Sequence, residues 1–97
     1  MWARVATGQV QPGKMDEFNK IYIETQKSVN QGTQGFQSAR VLTDLSTNKA
    51  LAVTIWATES DAKASGDARS VEDVVKRYEG VLVGAPTLEY YEVSVDY

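Results

Sequence analysis

Residues 50–57 form a run of eight residues in which only Thr54 is polar. This run is too short to cross a bilayer as a helix, which needs about 20 apolar residues, and no other run approaches that length. A strand with apolar side chains at successive positions presents them to both faces of its sheet, so both faces have to be covered. The run therefore predicts a strand that is buried on both sides.

The rest of the sequence predicts three more strands and two helices around this strand. Apolar residues at three- and four-residue steps predict a first helix over 14–29. A second helix begins near residue 58 and falls into two pieces, one that ends near Gly66 and one that begins at Ser70. The other strands are expected at 2–10, 35–43 and 87–97, with a hairpin loop at 44–49.

The order of these elements, β-α-β-β-α-β, predicts an α+β fold of the ferredoxin-like sandwich type. Its four-stranded antiparallel sheet would carry two helices on one face. We expect residues 1–97 to form a single domain, because a chain of this size can bury one hydrophobic core without disulfides or metal ions to stabilise it. The second face of the sheet then needs a partner, and the default partner is another copy of the chain. The residues expected on that uncovered face are Trp2, Phe36, Leu42, Leu88 and Tyr90.

Two residue types are absent, and their absence excludes several kinds of site. The sequence has no cysteine, so disulfides, thiolate catalysis and thiolate metal ligands are impossible. It also has no histidine, which is the commonest general base, metal ligand and proximal haem ligand. A metal site made of carboxylates alone is still open, but no spaced cluster of Asp and Glu points to one. We expect neither a metal nor a cofactor.

The distribution of charge narrows the range of partners. The net charge is −3, and lysine and arginine are scattered with no basic stripe, which argues against nucleic acid as a partner. The first residues lack the basic segment followed by an apolar one that marks a signal peptide. We expect a cytoplasmic protein that does not enter a membrane.

Three passages carry a resemblance to a known family. Gly35 and Phe36 open the second strand, residues 55–62 lead from the third strand into the second helix with a Trp-x-Thr-x-x-x-Ala pattern, and Leu88-Glu89 is followed by Glu92-Val93 in residues 88–93. In these passages and in its element order, the chain resembles the antibiotic biosynthesis monooxygenase-type family of dimeric α+β barrels. The resemblance implies that fold and a homodimer formed through the sheet face.

The resemblance also implies a choice between activities. Family members include cofactor-free oxygenases of aromatic, quinol-like polyketides and enzymes that bind and degrade haem. The haem-degrading members use an Asn on the first strand and a Trp and a His on the second helical segment. The matching positions here are Thr7 and positions near Ser65 and Val75, so haem degradation by that mechanism is not expected.

Four residues are candidates for binding a ligand: Thr7, Tyr22, Trp56 and Tyr78. Tyr22 and Tyr78 lie on apolar helix stripes that have to face the sheet, and Thr7 shares its strand face with Ala3 and other residues that suit a core. We expect the tyrosines to flank a cavity within one chain, between the sheet and the helices, with Thr7 on its floor. Small residues there leave room for it: Ala3, Thr7 and Ala39 fill less space than the leucines that a solid core would prefer. The alternative is a structural role for each, as core aromatics and an ordinary strand threonine.

Three charged strand residues raise a separate question. Arg4, Arg40 and Glu92 are expected on the sheet face away from the helices. There they could form a buried polar network, with arginine paired to glutamate, or bind an anion.

The sequence leaves the function open between two classes. The first is a small cofactor-independent monooxygenase that acts on an aromatic or quinone-like molecule, with an apolar pocket, hydrogen-bond donors for an oxyanion and exclusion of water. The second is a non-catalytic dimeric domain of the same fold that binds a small molecule. An amino-acid-sensing regulatory domain is a third interpretation, but such domains are normally fused to an enzyme or a DNA-binding domain. No residue of the sequence is assigned as catalytic.

Overall fold

The computed structural model describes residues 1–67 and 71–97 and confirms the predicted element order. Four antiparallel strands form one sheet in the order β2-β3-β1-β4, with the helices on one face. Within the described ranges, no helix is both long and apolar enough to cross a membrane. The elements are β1 Trp2–Gln9, α1 Met15–Thr25, β2 Phe36–Asp44, β3 Lys49–Trp56, α2 Glu59–Asp67, α3 Val71–Arg77 and β4 Thr87–Glu92.

The first helix changes its winding before it ends. α1 continues into a π-helical segment, Gln26–Asn30, in which the backbone N–H of Gln31 donates to the carbonyl of Gln26. The helix predicted over 14–29 is present, but its last turn is wider than an α-helical turn. The second predicted helix is present as the two pieces α2 and α3, and its expected restart at Ser70 lies outside the described residues.

The hairpin loop between β2 and β3 is organised by Asp44. Its Oδ1 accepts hydrogen bonds from the Ser46 hydroxyl at 2.6 Å and from the Ser46 backbone N–H at 3.0 Å, and these bonds lower the pKa of Asp44. Asn48 has a φ of 57°, the left-handed conformation that asparagine adopts more readily than most residues. The expected hairpin is confirmed, and its register sets Leu42 opposite Leu51.

The hydrophobic core lies between the sheet and the helices. The centroid of the Phe18 ring lies 5.3 Å from that of Tyr78 and 6.2 Å from that of Tyr22. Aromatic rings from α1 and from the residue that follows α3 therefore form a layer over the sheet. The buried cluster at the centre of this core comprises Val10, Phe18, Ala50, Tyr78 and Val81.

The orientation of β1 differs from the expected one. Its helix face carries Trp2, Arg4, Ala6 and Gly8, and its other face carries Ala3, Val5 and Thr7. The expectation that Ala3, Val5 and Thr7 face the helices followed from their suitability for a core, and it was wrong. On the helix face, the guanidinium of Arg4 is buried against Ser65 of α2, and the small residues Ala6 and Gly8 lie under the helices.

The sheet face opposite the helices, called the open face below, has an apolar centre bordered by polar and charged residues. Leu42 and Tyr91 on this face are 52% and 51% exposed in the single chain. The Tyr91 hydroxyl donates to Glu89 at 2.7 Å, and this hydrogen bond raises the pKa of Tyr91. The large apolar residues of the open face are Val5, Leu42, Leu51, Val53, Ile55 and Tyr91.

Most of the residues expected on the open face lie on the helix face instead. Leu42 was placed correctly, whereas Trp2, Phe36, Leu88 and Tyr90 pair in register with helix-face residues of the neighbouring strands. The expected charged set is also divided, because Arg40 lies opposite Val53 on the open face while Arg4 and Glu92 lie on the helix face. The errors in β1 and β4 follow from the inverted orientation of β1, which fixes the faces of β4 through the register. Phe36 lies on the helix face for another reason: the register of β2 shifts between Phe36 and Ser38, so Phe36 and Leu42 point to opposite faces.

We expect Trp56→Ala to be among the most destabilising single changes in the sheet. The Trp56 side chain is 0% exposed. Its indole N–H donates to Thr54 Oγ1 at 2.9 Å, and the centroid of its ring lies 5.4 Å from that of the Phe36 ring. Loss of a large core aromatic costs about 3–5 kcal/mol in the free energy of unfolding. Tyr97→Ala, at an exposed position, should change it by less than about 0.5 kcal/mol. The midpoints of unfolding in urea measure the stability of the two variants. Equal midpoints would contradict the assignment of Trp56 to the core.

Candidate functional site

A cavity of about 110 Å³ lies between the sheet and the helices. Its floor consists of four small residues that neighbouring strands bring together in register: Ala6 opposite Ala52, and Gly8 opposite Ala50. A side chain on Gly8 would press against Leu82, because a Cβ there would lie 3.1 Å from Leu82 Cδ2. The cavity exists because these positions are small, whereas larger aliphatic residues would fill it.

The roof of the cavity is aromatic, and its two ends differ in polarity. Phe18, Tyr22 and Tyr78 cover the floor from the helix side. One end is formed by Arg4 and Gly66, while the remaining lining is aliphatic: Val74, Leu82, Ala85, Pro86 and Leu88. An apolar cavity of about 150 Å³ can hold a benzene molecule, so this cavity is close to the size of one small ring.

Among the described residues that line the cavity, Arg4 is the charged one, and it is 5% exposed. Its Nη1 donates to Ser65 Oγ at 2.6 Å, and its Cζ lies 5.7 Å from the centroid of the Trp56 ring. Ser65 in turn donates its own hydroxyl proton to the carbonyl of Ala62 at 2.7 Å. The guanidinium is thus held in one position by an acceptor from α2 and by the face of a buried indole.

Tyr90 packs beside this end of the cavity. A side chain at Gly66 would overlap the Tyr90 hydroxyl, and its Cβ would lie 3.8 Å from Arg4 Cδ. The glycine therefore lets α2 approach β4 and β1 closely enough for Ser65 to reach Arg4.

The four predicted ligand-binding residues have different positions in the structure. Tyr22 and Tyr78 line the cavity, as expected. Thr7 lies on the open face, so its expected position on the cavity floor was wrong. Trp56 is buried on the helix face and contacts the cavity through Arg4 instead of lining it.

The sequence analysis missed Arg4 and the true floor of the cavity. The argument that small strand residues leave room was sound, but it was applied to Ala3, Thr7 and Ala39 instead of to the register pairs of Ala6 and Gly8. The available signal was the pair of small residues at alternate positions in each of two strands, 6 and 8 in β1 and 50 and 52 in β3. In residues 1–67 and 71–97, His, Cys, Asp and Glu form no group of three that could hold a metal ion.

Comparison of the sequence with known proteins gives no match, either to a protein-family model or to a curated protein. Solved structures, in contrast, share the fold over nearly the whole chain. A putative antibiotic biosynthesis monooxygenase from Bordetella bronchiseptica has a TM-score of 0.76 at 12% identity, with 97% of each chain covered. One from Caulobacter crescentus has a TM-score of 0.72 at 21% identity, covering 97% of this chain and 90% of that one.

A third similar structure is that of the haem degrader MhuD from Mycobacterium tuberculosis, solved with two haems in its active site. It has a TM-score of 0.75 at 18% identity, covering 100% of this chain and 99% of that one. At identities this low the likeness concerns the fold, and the predicted resemblance is confirmed at that level. The chain has the ferredoxin-like α+β fold of the antibiotic biosynthesis monooxygenase proteins.

Proposed function

We propose that the chain is a small, cofactor-independent monooxygenase-like protein that binds an aromatic or quinone-like molecule in the cavity between sheet and helices. The observation that carries this proposal is the make-up of the cavity: a floor of small residues, an aromatic roof and one cationic end. Ligand sites commonly combine an apolar wall with a few polar groups that fix orientation. The fold shared with monooxygenase-type proteins is consistent with this function but does not establish it.

The proposed reaction uses the substrate as its own source of electrons. A ring hydroxyl of the substrate loses a proton, and the resulting anion transfers electrons to O₂ and forms a C–O bond at a neighbouring ring carbon that still carries a hydrogen, which gives a peroxide after protonation. Loss of water from the peroxide breaks the O–O bond and leaves a new carbonyl on the ring. One oxygen atom enters the product and the other leaves as water, so the reaction needs no external reductant.

Each cavity residue has a part in this proposal. Tyr22 and Tyr78 flank the ring and exclude water, which strengthens electrostatic interactions inside the site. Arg4 stabilises the negative oxygen of the ionised substrate. Trp56 is a positioning residue, because it acts on the substrate through the guanidinium of Arg4.

The chemistry of the lining also supports a second candidate, a binding protein without catalysis. The described cavity lining contains neither a carboxylate nor an imidazole that could take a proton from the substrate. A substrate that ionises in water needs no such base, whereas a less acidic one would bind unchanged. Oxygen consumption separates the two candidates.

We expect purified protein to accelerate oxygen uptake with at least one member of a panel of single-ring quinols, above the rate of the quinol in buffer. Ala6→Leu fills the cavity floor and should abolish this acceleration, at a cost of about 1–3 kcal/mol from overpacking. Ala64→Leu makes the same change at an exposed position of α2 and should leave the rate unchanged. An oxygen electrode measures the rates, and circular dichroism checks the fold of each variant.

Equal rates in the native protein and in Ala6→Leu would rule out catalysis in this cavity. If the quinols bind with no oxygen uptake, the non-catalytic function is correct and the oxygenase function is wrong.

We also propose that two copies of the chain pair through their open faces. The apolar centre of this face includes Leu51, Val53 and Ile55, which a single chain leaves partly exposed. Arg40 lies on the β2 side of the face and Glu89 on the β4 side, so a two-fold axis can bring opposite charges together. A second copy therefore suits the face both in its apolar centre and in its charges.

This arrangement predicts a homodimer at micromolar concentration, with a total buried area above about 1,200 Å². Val53→Asp places a charge at the centre of the open face and should give a monomer by sedimentation velocity. Ile23→Asp puts the same charge on an exposed position of α1 and should remain dimeric. A monomeric native protein would contradict the proposal.

We expect no haem-dependent activity, although one protein of this fold degrades haem. The sequence has no histidine to bind the iron, and the cavity is close to the size of one ring, whereas a porphyrin joins several rings in one plane. Titration with haemin should therefore give no saturable shift of the Soret band, and a reductant should not produce ring cleavage. A tight, saturable shift followed by cleavage would show that the chain does bind haem.

A further inference from the structure

We infer that Tyr22 sets the size of the ligand that the protein accepts. Its side chain closes the cavity against a neighbouring surface groove and so limits the ligand to a single aromatic ring. This inference rests on the proposed binding function and adds a specificity-determining residue to it. It is independent of whether the bound molecule is then oxygenated.

The groove lies at the surface between the first helix and the edge strand β2, and its volume is about 600 Å³. Its helix side includes Ile23 and Gln26, and its sheet side includes Ala39, Val41 and Thr43. The cavity, in contrast, has a volume of about 110 Å³. A ligand with two fused rings therefore fits only if the cavity and the groove are joined.

The floor of the cavity and the floor of the groove are continuous across the sheet. Val41 of β2 lies opposite Ala52 of β3, and Thr43 lies opposite Ala50. The two alanines belong to the floor of the cavity, whereas Val41 and Thr43 line the groove. Residues that lie opposite each other on neighbouring strands share a face of the sheet, so the two spaces are side by side. The barrier between them therefore comes from the helix layer above the sheet.

Tyr22 is that barrier. Phe18, Tyr22 and Gln26 follow one another at four-residue steps, which place them on one side of the first helix and its continuation. Phe18 lines the cavity, Gln26 lines the groove, and Tyr22 lines both. Among the described residues that line these two spaces, Tyr22 is the one that they share. Its side chain is thus the wall between them.

The ring of Tyr22 is held in this position by its neighbours. Tyr22 is 8% exposed, and its ring stacks on that of Phe18 with an interplanar angle of 16°. The Phe18 ring packs in turn against Tyr78. A ligand with a second fused ring has to displace the Tyr22 ring from this stack, which costs buried apolar area and an aromatic contact.

The opposite wall of the cavity is built differently. A second surface groove, on the α3 side, shares Tyr78 and Leu82 with the cavity. Tyr78 belongs to the buried core cluster, and Leu82 packs against that cluster. Two side chains of the core therefore close this side, whereas one side chain closes the side toward β2. Truncation of Tyr22 alone is expected to join the cavity to a groove.

The first helix is anchored on both sides of Tyr22, so truncation leaves a passage. On one side, Phe18 packs against Tyr78 with 5.3 Å between the ring centroids. On the other, Arg77 Nη1 at the end of α3 donates to Thr25 Oγ1 at 2.9 Å. A structure held at both ends relaxes only partly into the space that a lost side chain leaves.

Phenol and 2-naphthol test the inference, because they differ by one fused ring. By isothermal titration calorimetry, the native protein should bind phenol at least about tenfold more tightly than 2-naphthol. Tyr22→Ala should bind 2-naphthol at least about tenfold more tightly than the native protein does. Tyr22→Leu, a milder truncation, should change the affinity in the same direction. Tyr22→Phe keeps the ring and should discriminate between the two probes as the native protein does.

A second substitution locates the added ring. Ala39→Phe places a ring in the groove and, combined with Tyr22→Ala, should remove the gain in affinity for 2-naphthol. Ala64→Phe makes the same change at an exposed position of α2 and, in the same combination, should keep the gain. Ala39→Phe alone should bind phenol as the native protein does, because Ala39 lines the groove and not the cavity. Circular dichroism checks the fold of each variant.

Equal affinities of the native protein for phenol and 2-naphthol would overturn the inference, and this measurement needs no variant to fold. A folded Tyr22→Ala without a gain for 2-naphthol, or a gain that survives Ala39→Phe, would also overturn it. Selective binding of phenol, with a gain that Ala39→Phe removes, would uphold the inference even if quinols caused no oxygen uptake; that result would refute the oxygenase function alone. Binding of neither probe by the native protein and by Tyr22→Ala would refute both the inference and the binding function.

Discussion

The pairing of β1 with β3 is the constraint on which the rest of the structure depends. In this register the helix face receives Trp56 and Arg4 at one end and small residues, Ala6 opposite Ala52, farther along. The large side chains anchor α2, and the small ones leave a space that the aromatic residues of the helix layer roof over. A shift of one residue would exchange the two faces of β1 and remove both features.

Packing and chemistry are connected at Arg4. Burial of a guanidinium costs free energy unless polar or charged partners compensate for it, and Ser65 supplies one such partner from α2. The approach of α2 depends on Gly66, where any side chain would overlap the hydroxyl of Tyr90. The contact that holds the helix on the sheet therefore also places a positive charge at the end of the cavity.

The sequence predicted the fold well because its signals are local. Apolar periodicity located the first helix and the second piece of the second helix, the N-terminal signal at 58–61 located its first piece, and the residues around Asp44 marked the hairpin. The faces of β1 were predicted wrongly, since alternation shows which residues share a face but not which face meets the helices. That choice depends on contacts between residues that are far apart in the sequence, such as the contact between Arg4 and Ser65, which are 61 residues apart. The prediction of the cavity contained the same error. Its two tyrosines were predicted, whereas the residues of its floor and its charged residue, Arg4, were not.

A crystal structure of the protein with a single-ring quinol bound in the absence of oxygen tests the central claim most directly. The account predicts density for the ring within each chain, between the roof formed by Tyr22 and Tyr78 and the floor at Ala6. A quinol bound only on the open face would contradict it.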